Sequence, residues 1–231
     1  MAGVLYLVAT PIGNYNDMTF RAVSVLQSVD LVVYEERREG ERLLRHFQIQ
    51  KPVESLHEHN EAAASYTILN HLKAGKSVAL VSDCGTPVFS DPGQLLVRKA
   101  IEEKIRIVPI PGASSLMPAL TVSGFSVDQF LFYGLLSPKK DRRRAELRRL
   151  MQERRTVVLM DTPYRLVPLL RDLAETFGTS RQICIAFNLT MPDEQMFYGT
   201  AVDLLKRFSS KEQKGEFVIV IEARGRNRED Q

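Results

Sequence analysis

The sequence predicts an α/β protein of two domains, the first built on a mainly parallel sheet and the second on a mixed one. Three observations carry this. Short apolar runs alternate with helical patterns through the first half, the rhythm changes after Gly124, and several of the apolar runs end in Gly/Pro-punctuated turns. Strands buried on both faces are short, continuous and rich in β-branched or aliphatic residues, and that is the character of Val4 to Ala9, Val78 to Val81 and Ile105 to Val108.

The first half gives strands near 4–9, 30–34, 52–55, 77–81 and 105–109. Helices fall between them near 19–28, 39–47, 60–74, 92–103 and 114–123. Asn60 stands where a cap is expected, before Glu61-Ala62-Ala63-Ala64 and the apolar stripe Ile68, Leu69 and Leu72, and Gly75 supplies the stop. The second half gives strands near 129–134, 156–160, 182–187, 195–200 and 216–222, with helices near 141–153, 163–177 and 201–208. Gln195 to Tyr198 and Phe217 to Ile221 have little helix between them, which predicts antiparallel pairing. The boundary is expected where Gly124 separates a helix from a new strand, giving domains 1–123 and 124–231. Residues 224–231 are charged, lack apolar anchors and should fray.

At 231 residues, with 44% hydrophobic and 26% charged, the composition is that of a folded chain rather than a disordered one. No apolar run approaches the roughly 20 residues of a membrane-spanning helix, and Met1 to Ala9 has no basic segment of the signal-peptide kind. No membrane association is expected. Cys84 and Cys184 are too few for a disulfide framework and have no zinc-ligand spacing, so a reducing, cytoplasmic setting and no metal are expected. Net charge is only +3, but residues 139–155 hold nine Lys/Arg against three Asp/Glu. Ala145, Leu147, Leu150 and Met151 would face the core there, leaving the cations as either a solvated face or a phosphate-binding one.

Three turns at strand ends would line one crevice: Thr10 to Asn14, Ser82 to Pro87 and Pro109 to Ser115. Neither G-x-G-x-x-G nor the P-loop pattern occurs, which disfavours a dinucleotide or P-loop site. Asp83, followed closely by Ser90-Asp91-Pro92-Gly93, must either cap backbone amides or face a ligand. His57 and His59 lack the helical i, i+4 spacing of a zincin, so base, hydrogen-bonding or turn roles are the candidates. Tyr34 to Glu39 follows another strand and is either a solvated charge run or a substrate contact.

These motifs resemble the tetrapyrrole methylase superfamily, and within it the ribosomal RNA small-subunit methyltransferase I family, over Val4 to Glu222. The likeness is carried by Val8 to Asn14, His57 to Glu61, Ala79 to Pro87, Ser90 to Gly93, Pro109 to Gly112 and Lys214 to Glu216. It implies a homodimer of two-domain subunits with S-adenosylmethionine in a cleft between the domains. It also implies methylation of a cytidine ribose 2′-hydroxyl in small-subunit ribosomal RNA. By position, Pro11, Asp83, Val88, Ser114 and Ser115 would touch the donor, with Asp161 and Leu189 from the second domain. The catalytic candidates are Glu35 as general base, Arg38 holding a phosphate or that carboxylate, and His57. Glu36, Arg37, His59, Asn60, Lys139, Lys140 and Arg165 are the expected substrate contacts.

The departures cluster on the acceptor side. Glu35-Glu36-Arg37-Arg38 stands for E-D-T-R, Met160 to Arg165 for Y-E-S-x-H-R, and Ala186-Phe187-Asn188-Leu189-Thr190-Met191 for A-R-E-L-T-K. Two other readings follow: a paralogue acting on a different RNA site or a small heterocycle, and a donor-binding protein without turnover.

Overall fold

The computed structural model describes residues 2–210 and 213–225 and divides into two compact units, Met1–Ser114 and Ser115–Gln231. The tail expected to fray lies outside the described residues beyond Gly225.

The first unit holds β1 (Val4–Val8), β2 (Leu31–Tyr34), β3 (Val53–Ser55), β4 (Val78–Val81) and β5 (Arg106–Ile110) in the order β3-β2-β4-β1-β5, all parallel. Between them run α1 (Phe20–Ser28), α2 (Arg37–His46), α3 (Glu61–Lys73) and α4 (Gln94–Glu102). Every residue of β2 and β4 is buried, as a sheet covered on both faces demands. Side chains alternate strictly. Leu31, Val33, Val78 and Leu80 pack with α3 and α4, while Val32, Tyr34, Ala79 and Val81 pack with α1 and α2. Gly75, at φ 90°, closes α3 as expected, with its own N–H and that of Lys76 donating to Leu72 and His71 carbonyls. Asn60 does occupy the N-cap position, but its side chain does not cap. It turns back, accepting from the His57 N–H at 2.8 Å and donating to the Ser55 carbonyl at 3.2 Å.

The second unit begins with α5 (Leu116–Ser123), followed by β6 (Phe130–Leu135), α6 (Lys140–Leu150), β7 (Thr156–Asp161), α7 (Leu166–Phe177), β8 (Gln182–Phe187), β9 (Gln195–Thr200), α8 (Ala201–Ser210) and β10 (Phe217–Ile221). The strand order is β6-β7-β10-β8-β9. β6 pairs parallel with β7, whereas β10 runs antiparallel to both β7 and β8, and β9 antiparallel to β8. The sheet is mixed, as the sequence predicts, but for a different reason. β9 and β10 are not neighbours, and the antiparallel pairing comes from β10 inserting between β7 and β8 and from β9 pairing with β8.

The boundary also moves. Gly124, at φ 73°, ends α5 rather than a domain, because α5 packs on β8 and β10 and so belongs to the second unit. Cys184, Ala186, Val218 and Val220 are buried on alternate positions of those strands, and Ile183, Ile185, Ile219 and Ile221 join α6, α7 and α8 in the larger core.

The basic stretch is less solvated than its composition suggests. Arg143 is only 7% exposed. Its Nε and a terminal nitrogen contact Asp172 Oδ2 on α7 at 2.7 and 2.6 Å, and Arg144 Nε reaches Asp172 Oδ1 at 3.0 Å. Burial opposes ionisation of Asp172, but the hydrogen bonds and charges of Arg144 and Arg143 outweigh it and hold the carboxyl below its ordinary value. Asp172→Ala leaves the buried Arg143 guanidinium with only the Ser137 and Pro138 carbonyls and no carboxylate, and should cost about 3–5 kcal/mol in urea unfolding. A loss under about 1 kcal/mol would show that the pair is not a structural clip.

Candidate functional site

The loops leaving β1, β4 and β5, three adjacent parallel strands, are tied together by backbone contacts. Thr10 and Gly85 exchange N–H···O bonds of 2.9 and 3.1 Å, and Thr10 Oγ1 donates to the Ser82 carbonyl at 2.9 Å. The Ala9 N–H reaches the Ile110 carbonyl at 3.2 Å, and Thr86 Oγ1 lies 3.5 Å from the Ala113 carbonyl. Gly85 has φ 90°, and a Cβ there would stand 3.3 Å from Ile12 Cγ2. The turns carrying Pro11, Asp83 and Ser114 therefore meet at one end of the first sheet.

The segment 85–93 is conformationally costly. Val88 and Ser90 join Gly85 and Gly93 at positive φ, with Val88 at 69°, an unusual value for a β-branched residue. Its side chain, partly buried, packs against the core that includes Leu80. Glu61 fixes the far end of the segment, accepting from the Gly93 and Leu95 N–H groups at 2.9 and 3.1 Å. The His57 to Glu61 motif is thus partly structural: Asn60 locks the turn, and Glu61 caps α4.

Three carboxyls meet beside these loops. Asp83 Oδ1 accepts from the Glu36 N–H at 3.1 Å, so capping and ligand contact need not be alternatives. Asp91 accepts a 2.6 Å hydrogen bond from Ser82 Oγ, which in turn accepts from the Cys84 N–H at 3.0 Å. Burial raises both carboxyls above their ordinary values. Glu35, at the end of β2, is pushed up to about 7, first by burial and then by the charges of Asp91, Asp83, Glu58 and Glu36. Asp91 is the member of this cluster that the sequence-derived site omits, although its acidic turn is a visible signal.

Arg38 does not hold Glu35. It lies on the first turn of α2, exposed, and forms no ion pair with a described carboxylate, while Arg37 pairs with Glu41 at 2.7 Å. His57 and His59 sit in the turn after β3 with ring centroids 6.0 Å apart, and His59 is exposed beside Glu58 at 3.2 Å. Among the described residues no group of three or more His, Cys, Asp or Glu could hold a metal ion, and no helix is long and apolar enough to cross a membrane.

In the second unit, Asp161 ends β7 with a fully buried side chain. Oδ1 accepts from the Thr162 N–H at 2.8 Å and faces Arg165 at 3.1 Å, whereas Oδ2 has no hydrogen-bond partner among the described residues. Burial pushes this carboxyl up, only partly offset by the Thr162 amide, Arg165 and Arg143. Arg165 also donates to the Leu136 and Ser137 carbonyls, at 3.3 and 3.1 Å, so its guanidinium is committed to holding this end of the unit. Leu189 is 8% exposed, and Asn188 and Thr190 on either side of it have φ 48° and 68°. Phe187, where the resemblance implies a cation, is buried edge-on against Phe197. Ser115 precedes α5 without capping it, and Lys139 and Lys140 are exposed at the start of α6.

Known proteins share this sequence family and this fold. The family model for tetrapyrrole (corrin/porphyrin) methylases matches residues 4–205. A ribosomal RNA small subunit methyltransferase I from Synechocystis sp. is 47% identical over 95% of this chain and 78% of its own length. The Bacillus subtilis protein of that name is 39% identical over 99% and 77%. Among solved structures, diphthine synthase superposes with a TM-score of 0.73 at 16% identity, covering 96% of this chain and 90% of its own. A cobalt precorrin-4 methyltransferase superposes at 0.69 and 17%, covering 95% and 94%, which extends the likeness of fold alone. The chain belongs to the tetrapyrrole methylases and, within them, to the ribosomal RNA small subunit methyltransferase I family.

Proposed function

We propose that the chain is an S-adenosylmethionine-dependent methyltransferase that modifies small-subunit ribosomal RNA at a cytidine ribose 2′-hydroxyl, with Glu35 as general base. The observation that carries the assignment of the base is the Glu35 carboxyl, lifted to about 7 at a strand end lined by Asp83 and Asp91. When bound, S-adenosylmethionine supplies the methyl group already activated as a sulfonium cation. The carboxyls fit that group, because a cation beside Glu35, Asp83 and Asp91 relieves their mutual repulsion, whereas a phosphate-bearing cofactor would worsen it.

The work left to this chain is to orient the reactants, exclude water and take one proton. Pro11, Asp83, Val88, Ser114, Ser115, Asp161 and Leu189 are the proposed donor contacts. Val88 and Leu189 would act through main-chain groups, since the Leu189 side chain is buried and the Val88 side chain is packed, partly buried, on the core. Holding reactants in a fixed relation contributes most of the acceleration in transfers of this kind. Glu35 would accept the hydroxyl proton with a pKa near the working pH, where general bases are most effective. His57 and His59 stand in the neighbouring turn, with Glu36 and Arg37 as acceptor contacts. Lys139 and Lys140 crowd the positive end of α6, an arrangement that an RNA phosphate would relieve. Arg165 is better read as positioning Asp161. A homodimer and a cytoplasmic location complete the reading, the latter supported by two cysteines that form no disulfide.

One observation favours a different acceptor: Phe187 and Met191 replace two expected cations. Ribose-methylation mapping of ribosomal RNA from a deletion strain, unchanged from wild type, would select that reading.

With Glu35 as base, kcat/KM for methyl transfer to small subunits, measured at limiting S-adenosylmethionine, where the donor-free enzyme titrates, should rise tenfold per pH unit below about 7 and level off above it. Glu35→Gln should lower kcat by about a hundred- to ten-thousand-fold and abolish that rise. Unimpaired turnover would discard the assignment. The raised pKa also means that ionising Glu35 destabilises the fold as pH climbs from its ordinary range through about 7. Glu35→Gln should therefore gain thermal stability relative to wild type at pH 8 but not at pH 4. In calorimetry, Asp83→Ala should weaken S-adenosylmethionine binding by about ten- to a hundredfold, the scale of one charged hydrogen bond. Equal affinity would remove Asp83 from the donor contacts.

A further inference from the structure

The carboxyl-lined site described above repels a polyanion, so an RNA acceptor needs a cationic surface beside it. Helix α2 provides one. It starts at Arg37, directly after Glu35 and Glu36, and its ten residues extend about 15 Å. A shallow hollow of about 440 Å³ is lined by Glu36, Arg37, Arg38, Glu41, Arg42 and Arg45. Arg37 is taken up by Glu41, and Arg42 is loosely engaged by Glu39 at 3.5 Å across an exposed pair. Arg38 and Arg45 form no ion pair with a described carboxylate and are exposed.

The far end of the same helix carries an aromatic stack. His46 lies over Tyr15 with ring centroids 3.9 Å apart and planes within 13°, and Phe47 braces both rings edge-on, at 4.9 and 6.0 Å. The Arg42 guanidinium sits 5.9 Å from the Tyr15 ring. Tyr15 comes from the turn just after Thr10 to Asn14, so the stack joins the strand-end loop of β1 to the end of α2. An ordinary solvated helix explains scattered arginines. It does not explain an exposed imidazole braced flat by two rings in line with them, which is the combination that single-stranded RNA recognition uses.

We propose that α2 is an acceptor-binding track on which Arg38, Arg42 and Arg45 take phosphates of a single-stranded RNA segment flanking the methylated nucleotide and the His46–Tyr15 stack receives one of its bases. This rests on the ribosomal RNA reading given above. It is tested by fluorescence anisotropy of the full chain with a short labelled single-stranded oligoribonucleotide, across a salt series, alongside S-adenosylmethionine calorimetry and methyl transfer to small subunits. Arg42→Ala/Arg45→Ala should reduce the slope of log affinity against log salt by about 1.4, at about 0.7 for each single-strand phosphate that is no longer neutralised. His46→Ala should weaken RNA binding by about five- to a hundredfold, and His46→Phe should restore it, because stacking needs a flat ring rather than an imidazole. S-adenosylmethionine affinity should stay at the wild-type value in all three variants. An unchanged salt slope in the double variant, or His46→Phe as weak as His46→Ala in protein of wild-type thermal stability, overturns the proposal. Failure of the wild-type chain to methylate small subunits would instead count against the acceptor reading on which it rests.

Discussion

The two-way backbone bridge between Thr10 and Gly85 holds the first unit's loops in a usable shape. Parallel strands leave their carboxyl-end turns free to diverge, since ladder hydrogen bonding stops where the strands stop. Here the exit of β1 is stapled to the exit of β4 by two main-chain bonds and one hydroxyl, and to β5 through Ala9 and Ile110. Gly85 lets the bridge form because its backbone lies where a side chain is strained. Once these exits are fixed, Asp83 is carried to the Glu36 amide and Asp91 to the Ser82 hydroxyl, and the acid cluster around Glu35 follows.

That cluster and the arginine-bearing helix next to it have opposite electrostatic requirements. Carboxyls held above their ordinary values favour a cation at the strand ends, while a nucleic acid is drawn by the cations of α2. On the proposed reading, separating the two signs by a short stretch of chain would let one end of the first unit attract both a sulfonium and a polyanion without their charges cancelling. In the second unit, part of the formal charge of the basic stretch is used internally. Arg143 and Arg144 neutralise Asp172 and join α6 to α7, so fewer cations remain on the surface than the composition implies.

Most of the fold is legible in the sequence because its strands are short, apolar and separated by good helix signals. What is not legible has specific physical causes. Gly124 has the left-handed geometry of a helix end, and that geometry is the same whether the next strand starts a new domain or not. The antiparallel pairing of β10 is long-range and leaves no local trace beyond β propensity. At the site, the strand-end turns and Asp83 are readable as motifs, but Asn60 and Glu61 are harder. Their side chains satisfy backbone groups in the same turn and in α4, a role that spacing does not distinguish from ligand contact. Arg165 looks like a free cation in the sequence because its partners, Asp161 and two carbonyls of the loop after β6, come together only in the folded unit.

Val88, one of the proposed donor contacts, and Thr190, beside another, show what a left-handed β-branched residue would imply for ligand capture. A glycine would adopt either conformation more cheaply, but it would also sample many others before the ligand arrived. A valine packed, partly buried, on the core has fewer arrangements open to it, so its peptide groups are largely set and association at the proposed site would forfeit less chain entropy. The strain is incurred once, during folding, and on the proposed reading each encounter afterwards would meet a rim with little left to rearrange.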